Sequence, residues 1–341
     1  MSASYGFEPS TPVGDGVFQI RLPMTGNPLR YVNGYLVADD GGYTLIDCGW
    51  RSDDVIEALH AALARCGVTI GEIRRVVVTH FHHDHYGLSA TLRREGVPEL
   101  LMHSADWSFA RSRLSDAEGD RDLLEWLARN GFETRALADD DERRERSELA
   151  APTGYMEDGQ RIGRLQVVWT PGHTPGHVCF VDTVSGRVFT GDHVLDPITP
   201  HVGVWSDDRG DPLGAYLDSL RKVRSIAVTA ALPAHGEPFA DLHGRVDELL
   251  GHHHVREGQV LDAVRRGPCS AAEIARDLPW TRRNRSFAEL GEMHQQFAVA
   301  ETIAHLEHLR ARRVVARDAA AHRMTYATTT EASPPDHAPN S

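Results

Sequence analysis

Short apolar runs separated by glycine-containing turns open the chain: 17–24, 32–38 and 43–47 read as strands, and Asp39-Asp40-Gly41-Gly42 reads as a turn. The period then changes. Val55, Leu59 and Leu63 share one helical face, Ser52 suits an N-cap, Asp53 and Asp54 suit the positive helix start, and Gly67 can end the helix. The run Val76-Val77-Val78 predicts another strand, followed by a helix over 86–94. Further strand-like runs cover 165–170, 187–190 and 228–232. Strands and helices alternate to about residue 250, which predicts an α/β fold. Two packed sheets covered outside by helices is the economical arrangement.

Two stretches depart from that rhythm. Residues 104–149 form a helical insertion with an apolar cluster at Leu123, Leu124, Trp126 and Leu127 and a densely charged segment over 139–148. After residue 235 the pattern predicts a long polar helix over 241–264. A helix over 271–278 capped by Ser270, a third over 297–312, and two short strands at 314–317 and 322–326 follow. The expected division is a flexible start over 1–16, a catalytic domain over 17–250, a helical domain over 251–327, and a tail over 328–341. That tail lacks the apolar residues of a core and is expected to be disordered.

Composition narrows the picture. With 41% hydrophobic and 25% charged residues, the 341-residue chain can bury a sizeable core. No apolar run approaches the length of a membrane helix, and the opening residues lack a signal-peptide layout, so a cytoplasmic protein with no membrane partner is expected. Cys48, Cys66, Cys179 and Cys269 have no C-x-x-C spacing, which argues against a thiolate metal site and for buried thiols. A net charge of −13 opposes broad attraction to nucleic acid. Residues 257–327 carry eleven arginines against nine acids, with one tight cluster at Arg282-Arg283-Asn284-Arg285, so the C-terminal part is expected to pack or dimerise rather than to bind nucleic acid.

The chemistry concentrates at Thr79-His80-Phe81-His82-His83-Asp84-His85-Tyr86-Gly87. Residues two apart on an extended segment point the same way, so His80 and His82 can converge on one ion. Asp84 and His85, beyond the bend, can aim at a second point. Imidazole with carboxylate suits zinc, with manganese or iron as competitors. Three more strand ends each present a ligand beside glycine: Pro171-Gly172-His173, Gly191-Asp192-His193 and Ala234-His235-Gly236. The triplet His252-His253-His254 reads instead as a solvated helix surface, because consecutive helical residues diverge.

The order His-x-His-x-Asp-His, then Pro-Gly-His-Thr, Thr-Gly-Asp and Ala-His-Gly, resembles the metallo-β-lactamase-fold hydrolase superfamily over about residues 17–250. The resemblance implies an αββα sandwich in which His80, His82 and His173 bind one zinc and Asp84, His85 and His235 the other, with Asp192 bridging. Asp47, in Leu45-Ile46-Asp47-Cys48-Gly49, matches the family's early aspartate, which orients a loop or a ligand imidazole. Class B1 and B2 β-lactamases place cysteine where this chain has Asp192, so penicillin-type substrates are not expected. The flavodiiron branch places glutamate where this chain has His82. The three C-terminal helices and hairpin resemble the winged-helix-like tail of the lactamase-B2-like branch, which includes single-strand ribonucleases.

The expected activity is hydrolysis of a small-molecule thioester, ester or lactone, by similarity to glyoxalase II-like and lactonase-like members. In that scheme two zinc ions generate a bridging hydroxide that attacks the carbonyl, and Asp84 orients the water and passes its proton to the leaving group. The alternatives are a metal-dependent single-strand endoribonuclease and an iron-dependent persulfide dioxygenase-like oxidoreductase. The insertion at 104–149 has two readings: it packs its aromatic residues onto the core, or it closes over the metals, with Trp107, Phe109, Trp126 or Phe132 as an apolar wall.

Overall fold

The computed structural model describes residues 6–114, 117–134, 149–207, 210–281, 284–320 and 322–329. The charged stretch 139–148, Arg282, Arg283 and the tail from 330 lie outside the described residues.

Among the described residues one sheet has seven strands in sequence order. These are β1 (Ser10–Gly14), β2 (Val17–Pro23), β3 (Tyr31–Asp39), β4 (Gly42–Ile46), β5 (Ile73–Val77), β6 (Glu99–His103) and β7 (Gly154–Met156). The first four pair antiparallel and the rest add in parallel. A second sheet contains β8 (Arg161–Ile162), β9 (Leu165–Trp169), β10 (Val178–Asp182), β11 (Arg187–Gly191) and β12 (Ala230–Pro233), in the order β12-β11-β10-β9-β8.

Strand alternation explains the layers. Val17, Tyr35, Val37, Ile46 and Val77 face Val167, Val178, Phe180, Phe189 and Leu232 in one buried cluster between the sheets. Tyr35 and Phe189 meet there with ring centroids 5.1 Å apart. Each such large side chain contributes roughly 1.5–3 kcal/mol by leaving water. The opposite face of the first sheet, with Leu22, Leu36, Leu45, Val76 and Leu100, packs on Val55, Leu59 and Leu63 of helix α1 (Asp53–Arg65). Both expected periodicities hold here: period two places alternate residues on two faces, and the helical stripe covers one of them.

Two local expectations differ. Ser52 makes no side-chain cap bond to α1; its hydroxyl donates to Asp54 and accepts no helix N–H. Of the helix expected over 86–94, only 89–94 continues as α3 (Ser89–Arg94), separated from an earlier turn, α2 (His83–Tyr86). The His85 carbonyl accepts the Cys48 N–H at 2.8 Å, and Leu88 N–H goes to Gly49 O, so the helical ladder is interrupted where the chain docks on the β4–α1 loop. Gly87 permits that approach, since a Cβ there would lie 2.5 Å from Arg51 N.

The chain divides into two compact units, 1–119 with 138–200 and 215–249, and 120–137 with 201–214 and 250–341. Helix α4 (Ser104–Leu114) begins the insertion, and α5 (Ala117–Arg129) runs on into the second unit. In the first unit, Tyr216 of α6 (Pro212–Arg224) donates its hydroxyl to His193 O and Ser219 donates to Pro171 O. This anchors the helix to the loops after β11 and β9.

The second unit contains the end of α7 (Leu242–Arg265), then α8 (Ala271–Asp277), α9 (Glu292–Ala311) and the hairpin β13 (Val315–Asp318) with β14 (Thr325–Thr328). Ser270 caps α8 in a reciprocal capping box with Glu273. Residues 120–137 and 201–214, expected within the catalytic domain, belong here. Trp126 is buried and donates its indole N–H to Val204 O, and Phe132 meets Phe287 edge-on. These two aromatics fill the second unit's own core and form no open wall. The histidine triplet also needs correction: His253 is buried, with Nδ1 3.3 Å from His305 Nε2. His252 is half-buried and His254 is exposed, because α9 covers one side of the helix and leaves the other to solvent.

Candidate metal centre

All eight residues singled out from the sequence lie in the first unit, at the ends of β4, β5, β9, β11 and β12. His80 and His82 follow β5, Asp84 and His85 sit in α2, and His173, Asp192 and His235 follow β9, β11 and β12. The structure brings seven of them into three overlapping groups: His80, His82 and His173; His80, His85 and Asp192; and Asp84, His85 and His235.

In the first group, His82 Nδ1 lies 2.9 Å from His80 Nε2 and 3.1 Å from His173 Nε2. In the third, His235 Nε2 stands 3.2 Å from Asp84 Oδ2, and His85 Nε2 stands 3.5 Å from the same oxygen. Asp192 spans these two groups. Its Oδ2 is 3.8 Å from His173 Nε2, while Oδ1 is 3.5 Å from His235 Nε2 and 3.7 Å from His85 Nε2.

These spacings fit metal ions. Ligand atoms about 2.0–2.1 Å from a tetrahedral ion stand roughly 3.3 Å apart, close to the distances found. Buried His85 Nε2 and Asp192 Oδ1 have no hydrogen-bond partner, which leaves both free to face an ion.

The atoms facing away from the centre are tied down. Buried Asp47 accepts the Thr79 N–H through Oδ1 at 2.8 Å, and through Oδ2 it accepts the Thr79 hydroxyl and His85 Nδ1–H, both at 2.8 Å. His80 Nδ1 lies 3.1 Å from the same Thr79 hydroxyl oxygen, and His235 Nδ1 donates to Tyr31 O at 3.2 Å. Each of these contacts holds the proton on Nδ1 and turns the Nε2 lone pair inward. His177 places Nδ1 on the Thr170 hydroxyl at 2.8 Å and accepts the Asp192 N–H at 3.2 Å. Sequence reasoning misses Thr79 and Thr170 as site residues. A threonine at a strand end carries no distinctive signal, and only the fold shows what its hydroxyl touches.

Electrostatics divides the centre. Burial, reinforced by neighbouring imidazoles, pushes His80 and His82 well below the ordinary histidine range, leaving neutral lone-pair donors. Burial also opposes charge on His85, but Asp84, Asp47 and Asp192 outweigh it and hold that imidazole well above its usual value. His235 is raised too, with Asp192 and Asp84 overcoming burial. Burial would raise Asp84, yet His85 and His235 keep its carboxyl well below the carboxylate range. One half therefore offers neutral imidazoles, and the other a carboxylate-rich setting that favours positive charge.

Aromatic side chains flank the ligands. Phe81 packs on His82 and on Phe109 of α4, with centroids 4.9 and 5.3 Å apart, and Trp50 lies 6.0 Å from His83. Trp107 packs against the helix-covered core of the first sheet.

Comparison with known proteins agrees with this geometry. The profile of the family described as the metallo-beta-lactamase superfamily matches residues 27–235. A probable metallo-hydrolase of Bacillus subtilis is 27% identical over 88% of this chain and 94% of its own length. An atrochrysone carboxyl ACP thioesterase of Aspergillus chevalieri is 27% identical over 76% of this chain and 72% of its own. The crystal structure of a metallo-beta-lactamase family protein from Thermus thermophilus superposes with a TM-score of 0.78 at 28% identity, covering 93% of this chain and all of that one (100%). With its αββα layers, its candidate His/Asp metal centre and these relatives, the chain belongs to the metallo-beta-lactamase superfamily, as a metallo-hydrolase.

Proposed function

We propose that the protein is a dinuclear zinc hydrolase that cleaves the carbonyl of a small-molecule thioester, with esters and lactones as the neighbouring substrate classes. The observation that carries this reading is Asp192, whose two oxygens face the two ligand groups separately. An aspartate there, rather than a thiolate, gives hard oxygen and nitrogen donors throughout and separates the site from that of penicillin-cleaving relatives. The similarity to a fungal ACP thioesterase supports the thioester choice.

When bound, the metal pair supplies Lewis acidity, which lowers the pKa of water and draws charge from the substrate carbonyl. The chain does the rest. His80 and His82 stay neutral donors, and Asp47 and Thr79 keep His85 and His80 in the tautomer that presents Nε2. Asp84 retains 15% of its side-chain surface, so a water can reach it. It accepts a hydrogen bond from the attacking water and carries the proton to the leaving thiol. Phe81 and Phe109 provide an apolar surface beside His82 for the acyl group.

The test is thiol release from a panel of acyl-CoA and acylglutathione thioesters by zinc-reconstituted protein, with His82→Ala as control. Release that vanishes in the control supports a metal-dependent thioesterase. Release that persists there overturns metal dependence, and turnover of lactones or single-stranded RNA alone overturns the thioester choice. Asp84→Asn is expected to lower turnover by about 100-fold or more, with a much smaller loss of bound zinc. Equal losses would reduce Asp84 to a ligand only.

A further inference from the structure

We propose that Asp106 is a positioning residue that sets the spacing of the His80–His82–His173 group by joining the two ligand loops. The three histidines come from different sheets: His80 and His82 follow β5 of the first, and His173 follows β9 of the second. Their nitrogens stand about an ion's coordination distance apart only if the two loops keep a fixed separation.

Asp106 lies in the first turn of α4 and is fully buried. Its Oδ2 accepts the backbone N–H of Phe81, the residue between His80 and His82, at 2.9 Å. The same oxygen accepts the hydroxyl of Thr174, next to His173, at 2.9 Å. Its Oδ1 accepts the N–H of Gly176 at 2.5 Å. One carboxylate thus receives three donors, one from the first loop and two from the second, and each bond to a charged acceptor is stronger than a neutral one. The approach is close: a Cβ on Gly176 would lie 2.5 Å from Asp106 N, so glycine is required there. Lower in the sheets, Val178 N–H bonds to Thr79 O at 2.8 Å, so the strands remain joined without Asp106 while the loop tips lose their brace.

Asp106→Asn keeps the shape but turns one acceptor into a donor facing donors, so either Phe81 N–H or Gly176 N–H loses its partner and the brace across the loops weakens. This inference rests on the metal centre holding ions, and its readout is metal affinity of the full chain rather than turnover. Zinc binding is measured by chelator competition, with amide hydrogen exchange at Phe81 and Gly176. Asp182→Asn is the control, because Asp182 is an equally buried carboxylate, held by Arg164 at the far end of β10. In Asp106→Asn one zinc constant is expected to weaken about 10–100-fold, the other to change less than about threefold, and one of the two amides to exchange faster. Asp182→Asn should lower the melting temperature and leave both constants in place. Unchanged constants in Asp106→Asn, or equal losses in the two variants, overturn the proposal. A wild-type chain that binds one equivalent would sink the dinuclear reading alone, and the single constant then tests Asp106 in the same way.

Discussion

Gly172 precedes His173 with φ +140°, a conformation that side chains resist, and a Cβ there would lie 2.4 Å from Tyr216 Cβ and 2.5 Å from Tyr216 Cα. The obstacle is the backbone of α6, so relief requires moving a helix. Gly172→Ala is expected to destabilise the first unit by about 3 kcal/mol and to displace His173, which urea unfolding and zinc titration would report together. The glycine is legible in the sequence as a companion to a ligand, and so are the seven candidate ligands, because histidine and aspartate at strand ends are conspicuous against apolar runs. Asp106 is not legible. Its partners are two backbone amides and a hydroxyl, groups that the rest of the chain also has in abundance, so no pattern marks it.

Among elements, local signals succeed where the responsible atoms are close in sequence. Ser270 and Glu273 sit three apart, and their capping box forms in the structure. Ser270→Ala should therefore lower the stability of the second unit by about 1 kcal/mol, visible as an earlier thermal transition. Ser52 carries the same composition signal, but its hydroxyl turns to Asp54 and accepts no helix N–H, and the helix it precedes begins without that bond. The break between α2 and α3 escapes sequence reasoning for the opposite reason. Nothing within 83–94 forbids a continuous helix, and it is the distant Cys48–Gly49 backbone that captures the carbonyl and amide at the break.

For the whole molecule, the buried pair His253 and His305 couples the second unit to pH. Burial pushes His305 down to about 3 and His253 well below the ordinary range, with His252, Arg256 and His308 adding unfavourable positive charge. In the unfolded chain each titrates near 6.5. The folded state therefore binds fewer protons between those values, and the stability these histidines contribute is fully present above about pH 6.5 and is lost as pH falls toward their folded values. Each should remove about 1.4 kcal/mol per pH unit over that window. Denaturant unfolding at a series of pH values, followed by hydrogen exchange in α9, should show this slope, and His305→Gln should cut it by about half. A slope unchanged in the variant would assign the acid sensitivity elsewhere.

The amino-acid order by itself determined the alternation of strands and helices, the α/β class, and which histidines and aspartates stand at strand ends, because each of these depends on periodicity or on residues a few positions apart. Tertiary structure decided what required two distant segments to meet. It drew 120–137 and 201–214 into the second unit, buried His253 under α9, and brought one carboxylate of α4 within reach of two ligand loops. The physical reason is common to all three. Burial and hydrogen bonding belong to pairs of surfaces, and a chain read one residue at a time shows only one surface of each pair.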